Sequence, residues 1–344
     1  MRAVVFQGPG HVEVVERPNP EVIRDDDALI RVRASGICGS DLHIYHGRVS
    51  SEPGFILGHE YVGEVLTAGD AVDSVAIGDR VVGAFATACG TCRHCRMGLH
   101  QHCHESRVFG LGSSGGSLQG TQADLALVPR ANLTLRRVPD GLSDGAALLA
   151  GDVMSTGYHA IVAAGLRPGE TCAVIGLGPV GLCATMAARL AGAAAVIAID
   201  TVESRLAAAR TLGAISVHAR EEDVAARVRA ETEGCGAHVA VEAVGSTRAL
   251  ETACQVARKA GTISIIGIHT EPTAIHMGLI FVNGLRIVAG LANVVAHIDP
   301  VISLMSAGHL DPNPLLTCHM PLADAADAYE AFDRHLELKI LLRP

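Results

Sequence analysis

The 344-residue chain contains no tryptophan, and aromatic residues make up only 3% of it. Its core must therefore be built mostly from Ala, Val, Ile and Leu, which fits a hydrophobic share of 49%. No apolar run reaches the roughly 18 residues that a helical membrane span needs, so a membrane partner is not expected. A basic stripe is also missing, and the formal net charge is -9. That balance argues against a nucleic-acid partner, because affinity for a phosphate backbone comes from clustered Lys and Arg. The opening "MRAVVFQGPGHVEVVERP" lacks the continuous apolar stretch of a secretory leader and instead alternates as a strand and turn. The expected location is the cytoplasm. Repeats, low-complexity tracts and long linkers are absent as well.

Cysteine is present, and unevenly so. Of ten cysteines, Cys89, Cys92, Cys95 and Cys103 crowd into "ACGTCRHCRMGLHQHC", while Cys38, Cys172, Cys183, Cys235, Cys254 and Cys318 are scattered. Disulfides are rare in a reducing compartment, so thiols this close more often bind metal or do redox chemistry. The C-x2-C-x2-C-x7-C spacing is the strongest spacing signal in the chain and reads as a metal site. A C-x-x-C dithiol switch is the competing reading. His94, His100, His102 and His104 lie among these cysteines and read as solvated, since four thiolates already complete the shell of such a site.

A chain this long exceeds the size at which single cores usually stop growing, so two domains are expected. Up to about residue 150 it carries short Val-rich runs broken by Gly, Pro and Asp, such as "ALIRVRASGIC" and "YVGEVLTAG", which read as an irregular β domain. From about residue 153, strand-like runs such as "TCAVIG" and "AAVIAID" alternate with Ala-rich helical segments, the pattern of a parallel α/β sheet. Two further helices are expected near "VISLMSAG" and "ADAADAYEAFDRHL".

"AVIGLGPVG" sets Gly176, Gly178 and Gly181 in a G-x-G-x-x-G, with Pro179 and Val180 between the last two. A strand before it and a helix after it give the motif its meaning as a dinucleotide loop. The first glycine permits the turn, the second admits a pyrophosphate to the backbone, and the third lets helix and strand pack closely. The next strand ends at Asp200, nineteen positions after Gly181, where a carboxylate can accept from ribose hydroxyls. It would repel a 2'-phosphate, so NAD(H) is expected over NADP, although nearby Arg205 complicates the choice.

"GICGSDLHIYHG" supplies Cys38, Ser40, Asp41 and His43, and "LGHEYVGE" supplies His59 and Glu60. A catalytic zinc needs three protein ligands and one open position. Asp152, in "LLAGDVMSTGYHA", is the available third group where the two textures meet. Cys172 is a poor substitute, because it falls inside the first strand of the α/β segment.

With these motifs together, the whole chain resembles a zinc-dependent alcohol dehydrogenase of the medium-chain dehydrogenase/reductase superfamily. The resemblance rests on "GICGSDLH", "GHEYVGEV", the four-cysteine lobe, "GDVMSTGYHA" and "GLGPVG". It implies a GroES-like catalytic domain over residues 1–152 and 291–344, and a doubly wound Rossmann NAD-binding domain over 153–290. It implies two zinc ions per subunit, one structural in the cysteine lobe and one catalytic on Cys38, His59 and Asp152. Glu60 is an alternate ligand or a supporting residue, and Asp41 is placed behind His59 to fix its ring, a plain helix cap being the alternative. Ser40 and His43 would carry the proton away by way of the nicotinamide ribose. Thr156, Arg205 and Lys339 match positions near the cofactor, the last two at the adenosine ribose and pyrophosphate.

The implied reaction is reversible oxidation of a secondary alcohol or polyol to the ketone, with hydride passing from a zinc-bound alkoxide to NAD. An amino-alcohol (threonine-like) or aldehyde substrate is the alternative within the family. A non-catalytic, dinucleotide-binding structural or sensor protein is the alternative outside it. The resemblance also implies a homo-oligomer, a tetramer favoured over a dimer, with "FVNGLRIVAGL" as a pairing edge strand.

Overall fold

The computed structural model describes all 344 residues. It divides the chain into two units, Met1–Ser155 with Asn293–Pro344, and Thr156–Ala292.

The first unit holds two sheets. Arg2–Gly8 and His11–Glu16 form an antiparallel hairpin, with Phe55–Ile56 on the other side of the first strand. The turn is made by glycine, as Gly10 stands at φ +74°, a conformation that strains any residue with a Cβ. The larger sheet is built around Ala28–Gly36, which pairs antiparallel with Glu60–Ala68, Leu125–Val128 and Ile340–Arg343. Alternate residues Ala28, Ile30, Val32 and Ala34 of the central strand are buried, the period of two that one covered face imposes. Pairing of Leu341 with Gly36 brings the chain's last strand beside the segment that leads into Cys38.

The second unit is a six-stranded, all-parallel sheet. Its spatial order is Ile215–His218, Ala195–Asp200, Thr171–Ile175, Ala237–Glu242, Ala257–Ile265 and Arg286–Ala289. The chain runs outward to one edge and then returns past its first strand to the other. The reversal falls between Thr171–Ile175 and Ala237–Glu242, and ligands of such sheets bind beyond the strand ends at this kind of point. Strand residues Ala173, Ile197, Val217 and Ala240 pack with helix residues Val228, Leu250 and Ala253 in one apolar cluster. Small aliphatic side chains thus do the work that a tryptophan-free composition leaves to them.

The helices expected near residues 301 and 325 are Val294–Ser306 and Ala325–Asp333. The first unit also contains short helices, Gly39–Tyr45 and Asp144–Ala150, which its β-rich texture conceals.

Candidate metal centres and dinucleotide loop

Cys38, His59, Glu60 and Asp152 come together in the first unit with one ligand atom from each within 4.8 Å of the others, all four buried. Three local structures deliver them. Cys38 caps the helix Gly39–Tyr45, Glu60 begins the strand Glu60–Ala68 with His59 just before it, and Asp152 lies between two helices. Asp152 Oδ2 stands 3.5 Å from Cys38 Sγ and 3.1 Å from His59 Nε2. Two ligands on one tetrahedral zinc lie about 3.3–3.7 Å apart. Thiolate, imidazole and carboxylate therefore fit the ion in spacing and in kind.

Electrostatics point the same way. Burial works against the His59 imidazolium, but Asp41 and Asp152 outweigh it and hold that pKa well above its ordinary value. Burial also works against the Asp152 carboxylate, yet the His59 contact brings its pKa down to about 2. Burial, reinforced by the charges of Asp152 and Glu60, pushes the Cys38 thiol up. These groups crowd negative charge around one point, where a cation is the natural complement.

Asp41 both caps a helix and supports His59. Its Oδ2 accepts from the Cys38 backbone N–H at 2.9 Å, while Oδ1 lies 3.2 Å from His59 Nδ1. Ser40 Oγ is 3.2 Å from His59 Nε2, the same atom that faces Asp152. His43 is half-buried, and burial, with Arg48 and His46, lowers its pKa.

Lys339 departs from the expected cofactor contact. It is fully buried, because the strand Ile340–Arg343 pairs beside Gly36 and carries it inward. Its ammonium donates to Ile37 O at 2.9 Å and to Glu60 Oε1 at 2.5 Å. Burial raises the Glu60 pKa to about 7 against the pull of Lys339. Glu60 Oε2 has no hydrogen-bond partner, and a Cβ on Gly36 would sit 2.1 Å from it. The missing side chain at Gly36 makes room for this carboxylate.

The four lobe cysteines also bring their sulfurs within 4.8 Å of one another. Cys89 Sγ and Cys95 Sγ are 4.0 Å apart, close to the separation of about 3.8 Å for two thiolates on zinc. Backbone N–H groups of Thr91 and Cys92, with the Thr91 hydroxyl, lower the Cys89 thiol to about 6. His94 stacks edge-on to His104 and His102, with ring centroids 4.9 and 6.2 Å away. Cys172 is fully buried in its strand, and burial pushes its thiol up to about 12.

In the second unit the glycine loop leads from Thr171–Ile175 into the helix Pro179–Leu190. Gly176 has φ +89°, and a Cβ on Gly181 would fall 1.8 Å from Gly176 O. A Cβ on Gly178 would meet nothing within 4 Å, so the helix N-terminus is open to a ligand there. Asp200 ties the loop to the next strand: Oδ2 accepts from Leu177 N at 2.6 Å, and Oδ1 from Thr201 and Val202 N at 2.6 and 2.9 Å. Arg205 Nη1 lies 3.9 Å from Asp200 Oδ2. Thr156 stands half-buried in the first turn of Val153–Ala164. Sequence motifs gave no hint of Glu242, fully buried at a strand end, which accepts from Val244 and Gly245 N and contacts His269 Nε2 at 3.2 Å.

The comparisons agree with this architecture. Residues 24–140 match the alcohol dehydrogenase GroES-like domain, and residues 179–307 match the zinc-binding dehydrogenase domain. The alcohol dehydrogenase from Thermus sp. ATN1 is 42% identical and superposes with a TM-score of 0.95 over 100% of this chain and 99% of that one. The zinc-type alcohol dehydrogenase B of Aspergillus flavus is 34% identical over 100% of this chain and 81% of its own. The chain belongs to the zinc-dependent alcohol dehydrogenases of the medium-chain dehydrogenase/reductase superfamily. Two further solved relatives carry a nicotinamide cofactor. A zinc-binding dehydrogenase from Sinorhizobium meliloti, bound to NADP, is 28% identical with a TM-score of 0.89 over 100% of this chain and 99% of that one. An Escherichia coli alcohol dehydrogenase complexed with NADH is 25% identical with a TM-score of 0.89 over the same shares.

Proposed function

We propose that this dehydrogenase reversibly oxidises a secondary alcohol or polyol to the ketone with NAD as hydride acceptor, and that Cys38, His59 and Asp152 hold its catalytic zinc. The observation that carries the reading is the buried convergence of these three groups, with the Ser40 hydroxyl on the same imidazole nitrogen. Charge favours Asp152 over Glu60 as the resting ligand. The Cys38 thiolate and Asp152 carboxylate together match a dication, whereas Glu60 is already compensated by Lys339. Bound there, zinc supplies the Lewis acidity that makes an alcohol acidic near neutral pH.

The chain's own groups then handle the proton. Ser40 Oγ would receive it from the substrate hydroxyl, and His43 would exchange it with water. The lowered pKa of His43 keeps its imidazole neutral at pH 7 and able to accept. In the second unit, the open helix end at Gly178 would take the pyrophosphate. Asp200 Oδ2, which accepts one backbone N–H, from Leu177, would receive a ribose hydroxyl on its other lone pair and favour NAD. A second, structural zinc is proposed in the four-cysteine lobe. Further proposals are a cytoplasmic location and a homo-oligomer, a tetramer favoured. The outermost strand Arg286–Ala289 would supply its pairing edge, beside Phe281 and Val282, which are 87% and 76% exposed. No helix of the chain is long and apolar enough to cross a membrane.

The test is NAD reduction with a panel of secondary alcohols, polyols, threonine and aldehydes, for wild type and Asp152→Ala, with zinc content measured on each. Two zincs and turnover of an alcohol, falling to one zinc and no turnover in the variant, are expected. An active Asp152→Ala that keeps two zincs would move the ligand role to Glu60. Preferential turnover of threonine or an aldehyde would replace the substrate class.

A further inference from the structure

Behind His59 lies a chain of buried polar groups that no motif suggests. Gln122 is fully enclosed on the segment before the strand Leu125–Val128. Its main chain is already engaged, since Gln122 N donates to Leu57 O and Gln122 O accepts from Val4 N. The side chain is therefore free to serve another purpose. Its Nε2 donates to Gly36 O at 3.0 Å and to Asp41 Oδ2 at 3.4 Å, and its Oε1 accepts from Tyr329 Oη at 2.8 Å. Tyr329 comes from the helix Ala325–Asp333 and is itself fully buried. Gly58, at φ +88°, leaves the room: a Cβ there would lie 2.4 Å from Gln122 Cγ.

The hydrogen-bond inventory allows one orientation. Gly36 O and Asp41 Oδ2 can only accept, so the amide nitrogen must face them. The amide oxygen then faces Tyr329, whose hydroxyl is left to donate. Asp41 Oδ2 takes two donors, Cys38 N and Gln122 Nε2, which turns Oδ1 toward His59 Nδ1 at 3.2 Å. His59 Nδ1 is buried without a hydrogen-bond partner and has this carboxylate as its ion-pair contact, so the position of Asp41 is what can orient that side of the ring. A proton on Nδ1 leaves the Nε2 lone pair directed at Asp152 and Cys38, as a metal requires.

We propose that Gln122 and Tyr329 are positioning residues of the metal centre, which act through Asp41 to fix the tautomer and rotation of the His59 ring. The proposal rests on the reading of Cys38, His59 and Asp152 as zinc ligands. Neither residue touches the ion or the substrate.

The full-length, metal-loaded protein tests it with two variants, Gln122→Met, which keeps the volume but loses the bonds, and Tyr329→Phe, which removes one oxygen. Zinc affinity at each site is measured by competition with a chromogenic chelator. The visible spectrum is recorded after cobalt replaces the more labile zinc. Gln122→Met is expected to weaken that site roughly 10- to 100-fold, as loss of groups supporting a metal ligand generally does, with a shifted cobalt spectrum and an unchanged lobe site. Tyr329→Phe is expected to change both in the same direction and by less. Wild-type affinity and spectrum in both variants would overturn the proposal, whatever their melting temperatures. If Gln122→Met does not fold, Tyr329→Phe decides alone. A wild type that binds zinc only in the lobe would overturn the zinc reading and this proposal with it, which is a distinguishable result.

Discussion

At the scale of single residues, the Glu60–Lys339 pair is the feature with the sharpest consequences. Both side chains are fully buried, and each is the other's only opposite charge at hydrogen-bond distance. Removing one partner of a buried pair leaves an uncompensated charge and costs about 3–5 kcal/mol. Lys339→Met should therefore lower stability by about that amount in chemical denaturation, and the double variant with Glu60→Gln should recover much of it. A Lys339→Met protein as stable as wild type would mean that the pair is not formed. The pair was not legible in the sequence. Its members stand 279 positions apart, and a basic residue near the C-terminus ordinarily reads as a solvated side chain or an anion contact. Cys38 and His59 were legible, because short motifs carry them into place locally. Asp41 could be read as either a cap or a support, since the sequence cannot show that its two oxygens serve both ends at once.

At the scale of elements, the glycine loop was the most legible part of the chain. Its logic is local: a strand, a turn without side chains and a helix, all within a dozen positions. The structure gives the third glycine a plain reason, the 1.8 Å that would separate a Cβ on Gly181 from Gly176 O. Gly181→Ala should therefore force the helix away from the strand and weaken NADH binding on the order of tenfold or more, about 1.4 kcal/mol, in a fluorescence titration. Unchanged affinity would show that the loop does not receive the dinucleotide. The cysteine lobe is likewise defined by spacing alone. A lobe of this size has little core beyond Ala88 and its sulfurs, so its order should depend on metal. Cys92→Ser should make residues 89–103 the first site of limited proteolysis, whereas equal protease resistance would argue against a structural ion there. The short helices of the first unit were less legible, because seven residues carry too little periodicity to stand out from surrounding strands.

At the scale of the whole molecule, two kinds of order coexist in one chain. The parallel sheet of Thr156–Ala292 could be read from its strand and helix alternation, which repeats in sequence order. The first unit could not be read so directly, because its central sheet is closed by Ile340–Arg343 from the far end of the chain. What assembles around Cys38 therefore depends on contacts of long sequence separation, including Lys339 and Tyr329. Composition and periodicity carry no sign of that return of the chain.

The central claim is that this fold gathers Cys38, His59 and Asp152 to hold one zinc while the lobe holds another. The most direct measurement is an anomalous-scattering map at the zinc edge from crystals of the zinc-loaded protein. Two peaks per chain are predicted, one bonded to Cys38 Sγ, His59 Nε2 and Asp152 Oδ2, and one among the sulfurs of Cys89, Cys92, Cys95 and Cys103. A single peak in the lobe, or an ion bonded to Glu60 with Asp152 turned away, would contradict it.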